Sequence, residues 1–578
     1  MKISKISICN FRNLDNIDVR FHPINNFIVG ENNLGKSNFL DLLNILFNYT
    51  SFRETDFHDI NSSIEVNFTL SLSEIEKGLF DDLFDPTSCD CINVIASQDT
   101  PDDNIIFKHL ETNTIIPSSL IKCVNYINYN SLRTPNNELN FDKNKGAGKF
   151  LVHLVSKYLE IEEIEDLDFI NPDKLKELLV YINGNLKKIK AFEDFSIDAG
   201  LDNDSKNILS KVITLSDSNN FSLQNVGCGI QFLSLITLTI LERILNMNKT
   251  RLAKAIMQDD DKNNCMPIIL GLDEPEVHLH PYMQRSLVKY LIKIVENKDE
   301  KFSELLSDIF DIDTLMGQVV ISTHSPNIML NDYKQIIRFF KDCNNGLVVK
   351  SGIDIDLQDR IEKHLLAQFP HIKEAFFAKC AVVVEGESEL SCIPIFGEKV
   401  KIDFDEYGLS IIRASGADSI IPIMNLLEYF GVQSVGIMDK DKYKSSYRSN
   451  TNLYHTDGKD FEEDIVDSLI SNNKIITLKK IVCDYDSKGL ERQLQKDPLN
   501  KYIETYNLPI SRVTTAYKFS DIADSDTNMI KLLYLTWLNI NKNCVLGRVI
   551  GKSILSKYIP TVYTDAIKRA KELSNNVG

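Results

Sequence analysis

Val382-Val383-Val384-Glu385-Gly386-Glu387-Ser388-Glu389 and, further along, Val435-Gly436-Ile437-Met438-Asp439-Lys440-Asp441 decide how this chain is read. In each stretch an apolar run, readable as a buried parallel strand, ends abruptly in carboxylates. Ligands and metals of open α/β sheets gather at the carboxyl ends of strands. Two neighbouring strands ending in Glu385 and in Asp439 and Asp441 therefore aim several carboxylates at one point. Glu389, four residues after Glu385 on the following helix, reaches the same place. Such a cluster is hard to keep ionised without a divalent cation, and hard oxygen donors suit Mg²⁺ or Mn²⁺. This is equipment for cutting or rejoining a phosphodiester.

Upstream, Phe27-Ile28-Val29 runs into Gly30-Glu31-Asn32-Asn33-Leu34-Gly35-Lys36-Ser37, after which Phe39, Leu40, Leu42, Leu43, Ile45 and Leu46 recur at helical spacing. Strand, glycine-rich loop and helix in that order form the context that a GxxxxGK[ST] match requires. Gly30 and Gly35 let backbone N–H groups, including that of Asn32, and the helix N-terminus face phosphate oxygens. Lys36 then reaches the β/γ-phosphates and Ser37 holds Mg²⁺. A second apolar run, Pro267 to Leu272, ends in Asp273-Glu274. Asp273 is placed for the Mg²⁺ shell and Glu274 for polarising the attacking water as general base. A third, Gln318 to Thr323, ends in His324-Ser325-Pro326. His324 reads either as a sensor of the γ-phosphate or as a packing and capping residue.

The 578 residues exceed what one core can organise and imply three or four domains. A hydrophobic content of 43% and a charged content of 25% are those of a globular protein. No stretch approaches the roughly 20 apolar residues of a membrane span. Met1 to Ile8 alternates like a strand and has no secretory apolar block. The 11 cysteines are scattered without a CxxC pair, which argues against a zinc module and for reduced thiols in the cytoplasm. A net charge of −18 sits awkwardly with a nucleic-acid partner, but an average hides patches, and metals neutralise carboxylates locally. Residues 541–578 carry Lys542, Arg548, Lys552, Lys557, Lys568, Arg569 and Lys571 against Asp565 and Glu572. That tail is a basic island or a solvated helix face.

The chain up to about residue 340 resembles an ABC-type ATPase of the SMC, RecF and OLD kind, in which two heads sandwich ATP. Asn10-Phe11-Arg12-Asn13-Leu14 resembles that family's opening strands. Leu223-Gln224-Asn225-Val226-Gly227-Cys228-Gly229-Ile230-Gln231 lies where its signature belongs, with Gly227 and Gly229 as the nucleotide-facing glycines. Glu274-Pro275-Glu276-Val277-His278-Leu279-His280-Pro281 resembles its Walker B and D-loop, and Thr323-His324-Ser325-Pro326 its H-loop. The signature departs from the transporter form LSGGQ. The resemblance implies that the signature closes on ATP bound to another head, and so implies a homodimer or higher oligomer. Amphipathic helices are expected at 150–155, 175–182 and 208–215. They are too short for a long coiled coil and read as an inserted dimerisation element or as decoration.

From Ala381 the pattern alternates strands at 381–384, 409–413 and 433–438 with helices at 388–394 and 418–429, a small parallel α/β domain. It resembles the Toprim fold, with Glu385-Gly386, Gly416 and Asp439-Lys440-Asp441 matching that fold's motif positions. Two-metal cleavage needs several such carboxylates. OLD-type Toprim domains add a second acidic cluster and a lysine. Phe461-Glu462-Glu463-Asp464-Ile465 fits the cluster, with Glu462 and Asp464 as second-metal ligands and Glu463 as the alternative. Gly547-Arg548-Val549-Ile550-Gly551-Lys552-Ser553-Ile554-Leu555 fits the lysine, with Lys552 steadying the pentavalent transition state and Lys557 as its competitor.

The expected organisation is an α/β ATPase in two parts, 1–149 and 216–370, a helical dimerisation insertion at 150–215, and a Toprim domain with a C-terminal helical region at 375–578. The whole resembles the OLD (overcoming lysogenization defect) nucleases, with their Gabija and retron-associated members. The resemblance implies an ATP-binding, Mg²⁺-dependent DNA endonuclease of antiphage defence, with Glu385, Lys552 and Glu274 catalytic. It leaves the partner open between a helicase, a reverse transcriptase with its RNA–DNA product, and none. The competing reading is a RecF-like repair or sensor ATPase with a non-catalytic Toprim domain.

Overall fold

The computed structural model describes residues 1–576 except 82, 84–89, 130–138, 140–147, 162–171, 202–212, 218–222, 224–227, 248–254, 278 and 343. The chain divides into two compact units, Met1–Phe339 with Val349–Ile355, and Phe340–Val348 with Asp356–Gly578.

In the first unit β1 (Lys2–Cys9), β2 (Ile17–Arg20), β3 (Asn25–Gly30), α1 (Lys36–Asn48), β4 (Ile64–Ser71), β5 (Cys91–Gln98), β6 (Ile106–His109), β7 (Ile115–Ile116) and β8 (Tyr126–Tyr129) come first. They are followed by α2 (Gly148–Ile161), α3 (Pro172–Leu186), β9 (Asp198–Leu201), β10 (Ile213–Ser216) and α4 (Cys228–Leu245). Then come β11 (Met257–Gln258), β12 (Asn264–Asp273), α5 (Pro281–Val295), α6 (Glu300–Phe310), β13 (Thr314–Ser322), β14 (Ile336–Lys341) and β15 (Leu347–Ser351).

Two sheets result. One, in the order β2-β1-β4-β5-β6-β7, is antiparallel. Its strand β5 alternates half-buried and buried residues, as a sheet with one covered face does. The other runs β11-β12-β13-β3-β14-β15, with β8 also on β12, and is parallel from β8 through β14. Its central strands are buried on both faces: every residue of β3 is buried, as is Cys265 to Leu272 of β12. Continuous apolar runs suit such strands, and their polar ends converge at one edge.

The amphipathic segments at 150–155 and 175–182 lie within α2 and α3. The segment at 208–215 differs. Residues 208–212 lie outside the described residues, and Ile213–Ser216 is the strand β10, antiparallel to β9. Cross-strand pairing of Ile213 and Thr214, β-branched residues, overrides the helical spacing there.

In the second unit α7 (Asp359–Ile372) precedes β16 (Cys380–Val384), α8 (Glu387–Lys399), β17 (Leu409–Arg413), α9 (Ile420–Tyr429), β18 (Gln433–Met438) and β19 (Leu453–His455). A helical region follows: α10 (Phe461–Ser471), α11 (Ile475–Tyr485), α12 (Lys496–Thr505), α13 (Thr527–Ile540), α14 (Cys544–Ser553) and α15 (Thr561–Asn576). The sheet is parallel throughout, in the order β17-β16-β18-β19. Val384 pairs with Ile437, which sets Glu385 and Asp439 at adjoining strand ends. The unit takes in residues from 356, so α7 belongs with it, ahead of the boundary expected at 375.

Helices α8 and α14 cross closely because Gly547 has no side chain. A Cβ there would lie 2.3 Å from the Ser388 carbonyl oxygen. Gly547→Ala is expected to destabilise the chain by about 2 kcal/mol through overpacking, despite alanine's better helix propensity of roughly 1 kcal/mol. Gly184→Ala in α3, where a Cβ meets nothing within 4 Å, should instead be neutral or stabilising. Urea unfolding of the two full-length variants checks the contrast.

Candidate active site

In the first unit the edge formed by the ends of β3, β12 and β13 opens into a cleft of about 620 Å³. Asn32, Gly35, Lys36, Ser37, Glu274 and His324 line it. Gly30 has φ +145°, and a Cβ would lie 2.2 Å from the Phe339 carbonyl oxygen, so only glycine lets the loop leave β3 here. Gly35 caps α1 at φ +97°, where a Cβ would press on the Asn13 side chain at 2.7 Å. Arg12, itself at φ +45°, ion-pairs with Asp41 and Asp56 and thereby ties the turn after β1 to α1.

Lys36 Nζ donates to the carbonyls of Gly30, at 2.9 Å, and Glu31, at 2.7 Å. Burial lowers its pKa to about 8, against the pull of Glu274, Asp273 and Glu31. Ser37 Oγ donates to Asp273 Oδ1 at 3.2 Å. Hydroxyl and carboxylate thus meet at the lysine, a donor pair suited to Mg²⁺. Glu274 sits in the left-handed region at φ +45°, and its Oε1 lies 3.3 Å from His324 Nε2. Burial, and then Lys36, lower the His324 pKa. Gly229 is the second residue of α4, whereas Gly227 lies outside the described residues.

Glu276 also shapes this edge. Its Oε1 accepts from Thr323 Oγ1 at 2.6 Å and from the His324 N–H at 2.7 Å, and its Oε2 is buried without a hydrogen-bond partner. Burial raises its pKa. The carboxylate fixes the backbone that carries His324. Sequence spacing gives it no such role, because the contact spans from the end of β12 to the end of β13.

In the second unit Asp439 N donates weakly to Glu385 Oε2 at 3.4 Å. Burial raises the Asp439 pKa to about 9, and Glu385 and Glu389 add to the rise. Glu389 lies in the first turn of α8 and is 3% exposed. Burial raises it to about 7, opposed by Lys542 and reinforced by Glu462 and Glu385. Gly386 admits this crowding: a Cβ there would lie 2.7 Å from Glu389 Oε2 and 3.5 Å from Lys542 Cε. Glu462, fully buried on α10, takes a 2.7 Å ion pair from Lys542 Nζ. Lys542 is driven upward by Glu462 and Glu389 despite burial, so it stays an ammonium. Glu389 Oε2 and Glu462 Oε1 are buried with no hydrogen-bond partner.

Among the described residues no group of three or more His, Cys, Asp and Glu side chains is drawn tightly enough together to hold a metal ion. The donor set is nonetheless of the right kind: hard oxygens, two of them unpartnered, raised by mutual repulsion and burial.

Three expected ligands or partners stand elsewhere. Lys552 is exposed in the last turn of α14, and the cation among the carboxylates is Lys542, held at the turn between α13 and α14 beside the N-cap Asn543. Asp464 accepts from the N–H groups of Gly458, at 2.5 Å, and Asp457, at 3.2 Å, and from Tyr563 Oη at 3.0 Å. Its oxygens are taken by the loop it holds. Asp441 is exposed, 4.0 Å from Lys459 Nζ, and lines a neighbouring cleft with Lys440, Asp457 and Tyr506. Glu463, the alternative ligand, pairs with Lys531 at 2.7 Å. Lys557 lies over the Tyr558 ring.

Comparison with known proteins matches residues 1–150 and 104–329 to the AAA ATPase domain family. Residues 376–441 match the overcoming lysogenization defect protein-like TOPRIM domain. Endonuclease GajA of Bacillus cereus strain VD045 is 39% identical over 13% of this chain and 14% of its own length. Endonuclease GajA of Bacillus cereus strain HuB5-5 is 21% identical over 54% of this chain and 48% of its own. The chain thus spans less than half the length of either curated relative. The solved C-terminal region of the Burkholderia pseudomallei OLD protein is similar over 34% of this chain and 99% of that one, at 15% identity and a TM-score of 0.23.

The lowered pKa of Lys36 makes phosphate binding proton-linked. Burial disfavours the charged form, so the free protein sheds this proton as pH rises past about 8, while the unfolded chain holds it to 10.5. The stability lost to this group is therefore greatest below pH 8 and is recovered between 8 and 10.5. A phosphate docked on Nζ restores the ammonium. Nucleotide binding at about pH 9 should take up close to one proton, with affinity falling by up to about tenfold per further pH unit. Calorimetry in buffers of different ionisation enthalpy reads the uptake, and Lys36→Arg, always charged, should abolish it.

Proposed function

The chain belongs to the AAA ATPase-domain family and carries an OLD-like Toprim domain behind it, and from that premise we propose that it is an ATP-regulated, divalent-metal-dependent DNA endonuclease. The observation that carries this reading is the carboxylate set of buried Glu389 and Glu462 and half-buried Asp439, with Glu385 beside it, gathered around the Lys542 ammonium. A merely structural role would leave these oxygens hydrogen-bonded. Instead Glu389 and Glu462 each keep a buried oxygen without a partner.

Glu385, Asp439, Glu389 and Glu462 would hold the metal, Mg²⁺ in the first instance and Mn²⁺ as an alternative. When bound, divalent cations supply an activated water and neutralise charge on the leaving oxygen. Glu385 moves the proton of the attacking water. Lys542, kept protonated by Glu462, offsets the negative charge that grows on the phosphorus oxygens, the part first assigned to Lys552.

At the other site Asn32, Gly35 and Lys36 would cradle the ATP phosphates, and Ser37 with Asp273 would hold Mg²⁺. Glu274 would orient the attacking water, and His324 would read the γ-phosphate. Gly227 and Gly229 would close on the nucleotide of a second copy, so the working form is a homodimer or higher oligomer. In this organisation 1–149 and 216–339 bind ATP, 150–215 serves dimerisation, and the second unit, with α7 and the Toprim domain, cuts DNA. A cytoplasmic antiphage role, with a helicase or a reverse transcriptase as partner, is the biological form of the reading. Among the described residues no helix is long and apolar enough to cross a membrane.

Supercoiled DNA incubated with Mg²⁺ or Mn²⁺, with and without ATP, tests the proposal. The wild type should nick or linearise it. Glu385→Ala and Lys542→Ala should each lose about 10²-fold or more of the rate, whereas Lys552→Ala should cut at the wild-type rate. Lys36→Ala should lose ATP hydrolysis. A wild type inert under every condition would reject the nuclease reading, and equal loss in Lys542→Ala and Lys552→Ala would reject the assignment of the cation.

A further inference from the structure

A second opening lies beside Glu385 in the second unit, a cleft of about 630 Å³. Arg360 and His364 of α7 form one wall, the loop after β17 another, and Lys442 of the loop after β18 a third. The Toprim match covers 376–441, so α7 and Lys442 both fall outside it. Arg360 and His364 are four residues apart and share a helix face. His364 Nε2 hydrogen-bonds to Ser419 Oγ, which fastens α7 to the loop carrying Gly416. Gly416 has φ +132°, and the space its Cβ would occupy contains nothing within 4 Å. The backbone there is bare and open to close approach.

The charge in the cleft is specific. Asp418 is the further carboxylate on its lining beside Glu385. With Glu385 assigned to a metal, the two fixed cations Arg360 and Lys442 exceed Asp418 by one positive charge, the complement of a single phosphodiester. Lys442 begins an exposed cationic and aromatic run in this acidic chain. Lys444 lies 5.8 Å from the Tyr447 ring centre, and Tyr443 packs on His455 at 4.5 Å. Cations interleaved with aromatic rings suit a phosphate backbone and its bases.

We propose that this cleft seats a backbone phosphate of the DNA strand adjoining the bond to be cut, with Arg360 and Lys442 as its cations and His364 as the pin that holds α7 in place. The inference rests on the nuclease reading and adds how that site grips its substrate. Arginine is suited to the task because its planar fork meets two phosphate oxygens at once.

The test is fluorescence anisotropy of the full chain with labelled duplex DNA, the same single strand, and RNA of that sequence, in EDTA and with Glu385→Gln in every protein compared, so that this carboxylate is neutral without a metal and binding is read without cutting. Arg360→Ala with Lys442→Ala should weaken DNA binding about tenfold or more. The log–log salt slope on the duplex should become shallower by about one unit, since one neutralised phosphate contributes about 0.9. Lys363→Ala, on the same helix but absent from the lining, should bind like the wild type, and unchanged thermal melting of the double variant would exclude misfolding. Wild-type affinity and slope in the double variant would overturn the inference. So would absence of wild-type binding to DNA, or a loss confined to RNA. If the double variant loses DNA affinity while the wild type never cuts DNA with Mg²⁺ or Mn²⁺, the phosphate seat stands and the nuclease reading falls.

Discussion

Placing more carboxylates than cations in one desolvated pocket is the constraint around which the second unit is built. Two like charges about 4 Å apart repel by roughly 4 kcal/mol at the effective dielectric of a protein site. Burial adds its own penalty for each ionised group. Asp439, pushed up to about 9, and Glu389, to about 7, record that cost. Lys542 meets only part of it, because its ammonium faces Glu462 directly. The rest of the unit holds the groups together against their repulsion. Parallel register puts Glu385 next to Asp439, Gly386 leaves room for Glu389, and Gly547 lets α14 press on α8. A fold has no stability reason to keep such an arrangement, so its persistence points to a ligand that repays it, and a divalent cation is the ligand that hard, crowded oxygens select.

The first unit solves a related problem with strain in place of repulsion. Gly30, Gly35 and Glu274 all leave their strands or enter their helix at positive φ. For a glutamate that conformation costs on the order of 1 kcal/mol or more. It turns the side chain toward His324, and the backbone N–H back to the Ser322 carbonyl at 2.9 Å. Glu276 then fixes the facing loop through Thr323 and His324. Lys36, without a phosphate, caps two carbonyls of its own loop. Polar groups are thus held in place by the protein's own contacts, and groups held in this way lower the ordering cost of binding.

What could be read from the sequence was whatever sits on one strand, loop or helix start. The strands ending in Glu385 and Asp439, the loop at Lys36 and the acidic pair at Asp273 announce themselves because burial pattern and chemistry adjoin in the chain. Lys542 does not. It lies 80 residues from Glu462, and among several lysines of a basic tail nothing local distinguishes it from Lys552. Asp464 misleads for the same reason: its neighbours in sequence suggest a metal cluster, while its hydrogen bonds go to a loop and to Tyr563. At 213–215, the described end of the segment expected as a helix, the reading fails by period, since a short apolar run with β-branched residues fits a helix on paper and a strand once β9 is beside it. Membership of α7 in the second unit rests on tertiary packing, and its sequence marks no boundary.

Net charge is the remaining tension, and it resolves spatially. A charge of −18 describes a far field that repels nucleic acid. At physiological ionic strength, however, that field decays over about 8 Å, so an approaching strand meets local groups and not the average. Part of the negative charge sits in the carboxylate centre, where burial and mutual repulsion disfavour full ionisation. Part of the positive charge is displayed where the chain turns out of β18, and again on α7. The same strand end therefore carries Asp439 inward and Lys442 outward within four residues. An acidic protein can present a basic edge to DNA in this way because alternation at a strand end separates charges that the composition adds together.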